Sequence, residues 1–260
     1  MTTRRIALLP LACVALLTGC GLDEVVNSQR HREDFQYSYD FKPGGRLYVE
    51  NENGQIQITG WDRDSAEVSG TKSAASKEVC DALKIDIVAT GESIRVRTVR
   101  PSGHWRSVGV KYVIHVPRRT SIEHGETTNG AIRVDGVQGV ARLRTTNGSI
   151  SVLGKLAGLE AATTNGSVES TFESLPSQRV EMKTTNGSVT AKLPEDLAAR
   201  VEAETTNGSV RSDFDVTSRD AARRKRLFGV IGGGGPILSL KTTNGSVRLI
   251  KLARGGTGGV

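Results

Sequence analysis

Three glutamates share one offset in this chain: Glu160, Glu181 and Glu202 each stand five residues before an Asn-Gly pair. Carboxylates at a repeated spacing are what a glycan-cleaving groove needs, one to protonate the leaving oxygen and one to attack or activate water. The same offset, however, carries Arg142 and Ser239 in other copies, and mixed charges at one outward position read as a solubilising face. The four histidines, His31, His104, His115 and His124, lack metal-ligand spacing. His115 falls on the polar side of a strand by alternation, and His124 lies near the first Thr-Thr-Asn-Gly corner, where it could face a groove. No Ser-His-Asp arrangement can be located. Gly232–Gly235 is followed by Pro236 and an apolar run, without the Lys and Ser or Thr of a phosphate loop, so it reads as a flexible return into the next strand. Five Asn-Gly-Ser tripeptides match the N-glycosylation acceptor pattern but arise from a repeat. No catalytic, cofactor or metal residue is assigned.

The elements that would position any such side chains are announced by that repeat. Thr-Thr-Asn-Gly followed by Ser or Ala and then Ile or Val occurs six times, at Asn129-Gly130, Asn147-Gly148, Asn165-Gly166, Asn186-Gly187, Asn207-Gly208 and Asn244-Gly245. The spacings are 18, 18, 21, 21 and 37 residues, and self-similarity at such a period marks a repeat architecture. Apolar residues fall at fixed offsets: Ile132, Ile150, Val168, Val189, Val210 and Val247 three after the Asn, and Leu143, Ala161, Met182, Ala203 and Leu240 four before it. Strict alternation on both sides predicts half-buried strands meeting at each Asn-Gly. Two all-β folds use such a unit. Asn-Gly is a strong hairpin turn, which would give a row of antiparallel hairpins or a β-sandwich. In a parallel β-solenoid the same pair turns a corner, and like residues stack about 4.8 Å apart. The solenoid accounts better for the two Thr that always precede the Asn, since stacked Thr pack well on a pleated surface and stacked Asn amides can bond in a ladder.

The register extends upstream. Leu47, Val49, Ile56 and Ile58 flank Asn53-Gly54 at the same offsets. A worn copy is expected around Gly91, with Ile85, Ile87, Ile94 and Val96 at equivalent places, 38 residues from both Asn53 and Asn129. Glu123 and Gly125 occupy inward offsets before Asn129, which predicts a seam there. Residues 35–126 thus read as degenerate β rungs, 127–252 as the regular solenoid and 253–260 as a flexible tail.

Residues 1–19 carry a basic start at Arg4 and Arg5 and an apolar stretch too short to span a bilayer, the marks of an export signal. Leu17-Thr-Gly-Cys20 resembles the lipobox of bacterial lipoproteins, which implies cleavage before Cys20, acylation of that residue and attachment to a membrane; Gly21 leans toward the outer membrane. Each acyl methylene adds about 0.8 kcal/mol of membrane affinity. Residues 20–34 are mostly polar and suit a tether. Cys80 is then the one remaining thiol, expected to pack on a short helix. Removing Arg4 and Arg5 lowers the formal charge from +7 to +5. The excess gathers at Arg223, Arg224, Lys225 and Arg226 inside a loop at 217–235, either a contact for an anionic partner or a solvated helical turn. Nucleic acid does not suit an exported, anchored chain with 4% aromatic residues.

The Asn-Gly repeats, Phe41-Lys-Pro-Gly-Gly-Arg-Leu-Tyr-Val-Glu-Asn, Gly60-Trp61-Asp and Ile231-Gly-Gly-Gly-Gly-Pro resemble the bacterial putative-adhesin domain family of unknown function. The resemblance covers most of the mature chain and implies a right-handed β-solenoid, exported or membrane-attached. These motifs are structural corners, so they speak to fold more than to function. The expectation is a non-catalytic, lipid-anchored envelope protein that binds a polymer, glycan or protein. The alternatives are a carbohydrate-active β-helix enzyme or an oligomerising scaffold.

Overall fold

The computed structural model describes residues 31–100, 108–174, 176–217 and 224–252. Cys20 and the signal lie outside them, as does the tail at 253–260. Strand β1 (His31–Asp40) precedes β2 (Arg46–Glu50) and β3 (Ile56–Trp61), which flank Asn53-Gly54, and β4 (Ser65–Ala74). Helix α1 (Lys77–Ala82) leads to β5 (Lys84–Ala89), β6 (Ser93–Val99) and β7 (Gly109–Pro117). Thereafter each Asn-Gly separates two strands. These pairs are β8 (Ser121–Asn129) and β9 (Ile132–Asp135), β10 (Val140–Asn147) and β11 (Ile150–Gly154), and β12 (Gly158–Asn165) and β13 (Val168–Phe172). They continue with β14 (Val180–Asn186) and β15 (Val189–Pro194), and β16 (Ala199–Asn207) and β17 (Val210–Ser212). Strand β18 (Arg226–Ile231) comes before the last pair, β19 (Ile237–Asn244) and β20 (Val247–Leu252).

Two ten-stranded sheets result. The first runs β1-β4-β7-β3-β9-β11-β13-β15-β20-β17 and the second β18-β16-β19-β14-β12-β10-β8-β2-β6-β5. Every Asn-Gly carries the chain from the second sheet to the first, so it is a corner between sheets and not a hairpin turn within one. Parallel pairing puts like on like: Thr145 on Thr163 and Asn147 on Asn165 in one sheet, Ile150 on Val168 in the other. The fold is all-β and solenoid-like. Inward residues of both sheets form one buried cluster, each large aliphatic contributing about 1.5–3 kcal/mol. Ser170, an inward polar position, is buried with its hydroxyl donating to Met182 Sδ at 3.2 Å.

Several expectations are corrected. The tether ends sooner than residue 34, because His31–Asp34 already pair with Thr71–Ala74 in β1. Gly91 is not a corner: β5 and β6 form an antiparallel hairpin around it, and Ile94 aligns with Leu47 instead of Ile56. The loop at 217–235 contains β18, antiparallel to β16. Ser239, placed outward by alternation, is fully buried between its longer pairing partners Glu181 and Glu202.

The order of copies differs most. β19 lies between β14 and β16, and β20 between β15 and β17. The last copy is therefore inserted between the fourth and fifth. At the other end, β2 and β3 lie between β8/β9 and β6/β7. The predicted seam is present as a bulge in β8, where the register shifts against both β2 and β10; one extra residue bends the strand. Ser76 caps α1 by accepting from Val79 N, and Val79 and Cys80 are buried beneath it.

Candidate functional site: the corner ladder and the face beside it

Seven asparagines line up along the corners in the order 53, 129, 147, 165, 186, 244, 207. Each after Asn53 donates its amide Nδ2 to Oδ1 of the one before, at 2.7, 2.8, 2.8, 2.9, 2.7 and 2.8 Å. All six bonds point the same way. The first Thr of each motif is buried, and its Oγ1 donates to the Gly carbonyl of the neighbouring rung: Thr145 to Gly130, Thr163 to Gly148 and Thr184 to Gly166, at 2.7–2.9 Å. That bond explains why the threonine recurs: a bare carbonyl there would be buried and unpaired. At the first corner Asn51 holds the same offset and donates to Val110 O at 2.8 Å and to Gly54 O at 3.1 Å. Its amide is held in turn by Thr98 Oγ1, which contacts Tyr112 Oη at 2.7 Å. Burial pushes the Tyr112 phenol up to about 12.

The glycines serve a different purpose from the one their turn chemistry suggests. A Cβ on Gly148 would stand 2.0 Å from Gly130 O, and one on Gly187 2.0 Å from Gly166 O. Close approach of stacked backbones, more than a positive φ, excludes every side chain.

The second Thr of each motif points out, and Thr146 and Thr164 are exposed while Thr185 is half-buried. Beside this row the outer face of the second sheet carries Glu204, Lys241, Lys183, Ala162, Arg144 and Glu126 in spatial order. Ala162, the small residue in that row, opens a groove of about 440 Å³ walled by Arg144, Lys183, Glu126, Glu160, Glu181 and the three threonines. Glu160 meets Arg144 at 3.4 Å and Glu181 meets Arg179 at 3.2 Å, with the two carboxylates 50% and 41% exposed. Both carboxylates are thus open to water and held by a neighbouring guanidinium. The groove presents cations, carboxylates and hydroxyls side by side, and its threonines repeat at the strand spacing of about 4.8 Å.

Of the basic cluster, Arg223 lies outside the described residues. Arg224 O accepts from Val210 N at 2.8 Å and Lys225 O from Thr205 N at 2.9 Å, while Arg226 pairs with Glu204 at 2.7 Å. This segment is stitched onto the outermost rung. His124 Nε2 meets Glu126 at 3.0 Å, and the His115 ring stacks on Trp61 at 5.2 Å. Among the described residues no group of acids, histidines and cysteines is arranged to hold a metal, and no helix is long and apolar enough to cross a membrane. Asn51, Thr98 and Tyr112 escaped notice in the sequence; the offset of Asn51 was the available signal.

A stack of corner-linked parallel strands in two sheets defines a solenoid-like β fold. The chain belongs to the Toastrack DUF4097 family, whose model matches residues 44–249. It is similar in fold to a "putative cell adhesion protein" from Clostridium sporogenes ATCC 15579, at 13% identity and a TM-score of 0.50, over 85% of this chain and 100% of that one. A "putative adhesin" from Bacteroides fragilis NCTC 9343 aligns at 9% identity and a TM-score of 0.39, over 84% of this chain and 97% of that one. No curated protein matches by sequence.

Proposed function

We propose that the protein is a non-catalytic, adhesin-like, right-handed β-solenoid that binds an envelope polysaccharide along the threonine side of its second sheet. Acylated Cys20 holds it to a membrane, with the outer membrane favoured by Gly21. The groove over Ala162 carries this reading: it is open, runs across consecutive rungs, and offers cations, carboxylates and hydroxyls to a repeating polar polymer. Family membership and the fold likeness agree with it without naming a ligand.

The test is co-sedimentation of the purified protein with peptidoglycan and with acidic envelope glycans. Ala162→Trp fills the groove floor from outside and should weaken binding at least about tenfold, since most of the contact area is lost, with unchanged melting. Equal binding by wild type and variant, or none by either, rejects the groove. A second reading, cleavage of the bound glycan, draws on Glu126, Glu160 and Glu181 lining one groove. New reducing ends that Glu160→Gln abolishes would replace binding by catalysis. Incorporation of a labelled fatty acid that Cys20→Ser removes tests the anchor.

A further inference from the structure

The amide ladder has two unlike ends. Because every Nδ2 donates toward the N-terminal end of the stack, the two ends differ: among the described residues Asn207 Oδ1 accepts no hydrogen bond and Asn53 Nδ2 gives none, while Asn53 Oδ1 accepts from Asn129 at 2.7 Å. Aligned amides polarise one another along such a chain, so the donor end is the positive end of a row of parallel dipoles, as backbone N–H groups are in anion-binding nests.

That end opens into a pocket of about 530 Å³ lined by Asn53, Gly54, Arg32, Lys111, Thr71, Ser73 and Gly109. Arg32 and Lys111 are exposed, and neither has a carboxylate within ion-pair distance among the described residues. Glycine at 109 keeps the Asn53 side open: a Cβ there would meet Asn53 O at 2.9 Å and Asn53 Cβ at 3.5 Å. The near carboxylate, Asp34, is engaged by Thr71 Oγ1 at 2.6 Å, and Ser73 Oγ donates to Gly109 O at 3.3 Å. Two cations and an unpaired amide donor thus line one concavity.

We infer that this pocket is an oxyanion site, taking a carboxylate or phosphate group on the donor end of the asparagine ladder between Arg32 and Lys111. An anion there accepts from Asn53 Nδ2 and neutralises both cations. The groove over Ala162 lies on the other sheet, so this site stands or falls apart from the groove.

The experiment follows the Asn53 side-chain amide of the ¹⁵N-labelled protein by NMR during titration at constant ionic strength, because screening alone shifts surface groups. Sodium phosphate and sodium glucuronate are the probes, with vesicles of phosphatidylglycerol against phosphatidylcholine as a third arm. A saturable shift of the Asn53 amide with either small anion is expected, and which one binds tighter tells a phosphate ester from a carboxylated sugar as the source. Asn53→Asp keeps an oxygen to accept from Asn129 and removes the donor, so it should abolish the saturable shifts of neighbouring amides while leaving the ladder signals of Asn147 and Asn165 in place. Arg32→Ala with Lys111→Ala should weaken binding at least tenfold. No saturable shift, binding undiminished in either variant, or a response to anionic vesicles alone overturns the site.

Discussion

The middle of the stack and its two ends are built from the same motif but differently assembled. From Asn129 to Asn186 neighbours in space are neighbours in sequence, and the 18- and 21-residue spacings equal one full circuit. At the ends this rule fails. The last copy lies between two copies that precede it, and the first lies between later rungs. In the middle, closing each circuit is a short-loop event; at the ends, strands far apart in sequence must meet, at the loop-closure cost that longer separation carries. The ends also hold the antiparallel strands β1, β4, β5 and β18, which cover edges that would otherwise invite pairing.

Removing the last copy by ending the chain at residue 236 is the harshest way to break this contrast. β16 then keeps only β18 as a strand partner, and β17 loses β20 and keeps the bond from Val210 N to Arg224 O. Hydrogen exchange should show protection lost over Ala199–Ser212 and retained over Val140–Phe172. Protection kept at Ala199–Asn207 would mean that the fifth copy restacks on the fourth, and that the inserted order is a choice between equal registers.

Gly187→Ala tests the corner column next. The added methyl cannot avoid Gly166 O, so the loss should reach about 3 kcal/mol, the upper end for overpacking. Gly91→Ala, in the terminal hairpin where a Cβ meets nothing within 4 Å, should leave urea midpoints unchanged. Similar losses at both glycines would remove close approach as the reason for the column.

Tyr112 distinguishes the N-terminal end by pH. Its phenol is raised from 10.0 to about 12 by burial, so the folded form keeps its proton while the unfolded chain ionises. Stability from this group is full below pH 10 and is lost as pH rises toward 12, a decline of about 2–3 kcal/mol over two pH units. Tyr112→Phe should flatten that part of the stability curve; an unaltered slope would place the titration elsewhere. A smaller loss is expected at Thr163→Val, which removes the bond to Gly148 O and should cost about 1–2 kcal/mol. Thr164→Val, on the exposed side, should change melting little, and equal effects at the two threonines would contradict their opposite facing.

Strand positions and facing were legible because alternation alone sorts side chains into core and solvent, as Ile132, Ile150, Val168 and Val189 confirm by their burial. Gly91 misled for a physical reason. Ile85, Ile87, Ile94 and Val96 alternate equally well across a hairpin and across a corner, and periodicity carries no information about strand direction. The groove was not legible, since Ala162 matters through what stands on β10 and β14 beside it. The pocket at Asn53 was hidden for the same reason: Arg32 and Lys111 are 79 residues apart in number and meet only because β1, β4 and β7 lie side by side.

Residue types by themselves determined two half-buried strands meeting at each Asn-Gly, because alternating side chains sort into core and solvent in one register; that those strands stack in parallel was decided in three dimensions. Which copy sits on which was decided only in three dimensions. All copies share one register and one set of corner bonds, so local chemistry cannot tell Asn186–Asn207 contact from Asn186–Asn244 contact. In the folded chain β18 lies antiparallel on the edge of β16 opposite β19, in the place a following rung would take.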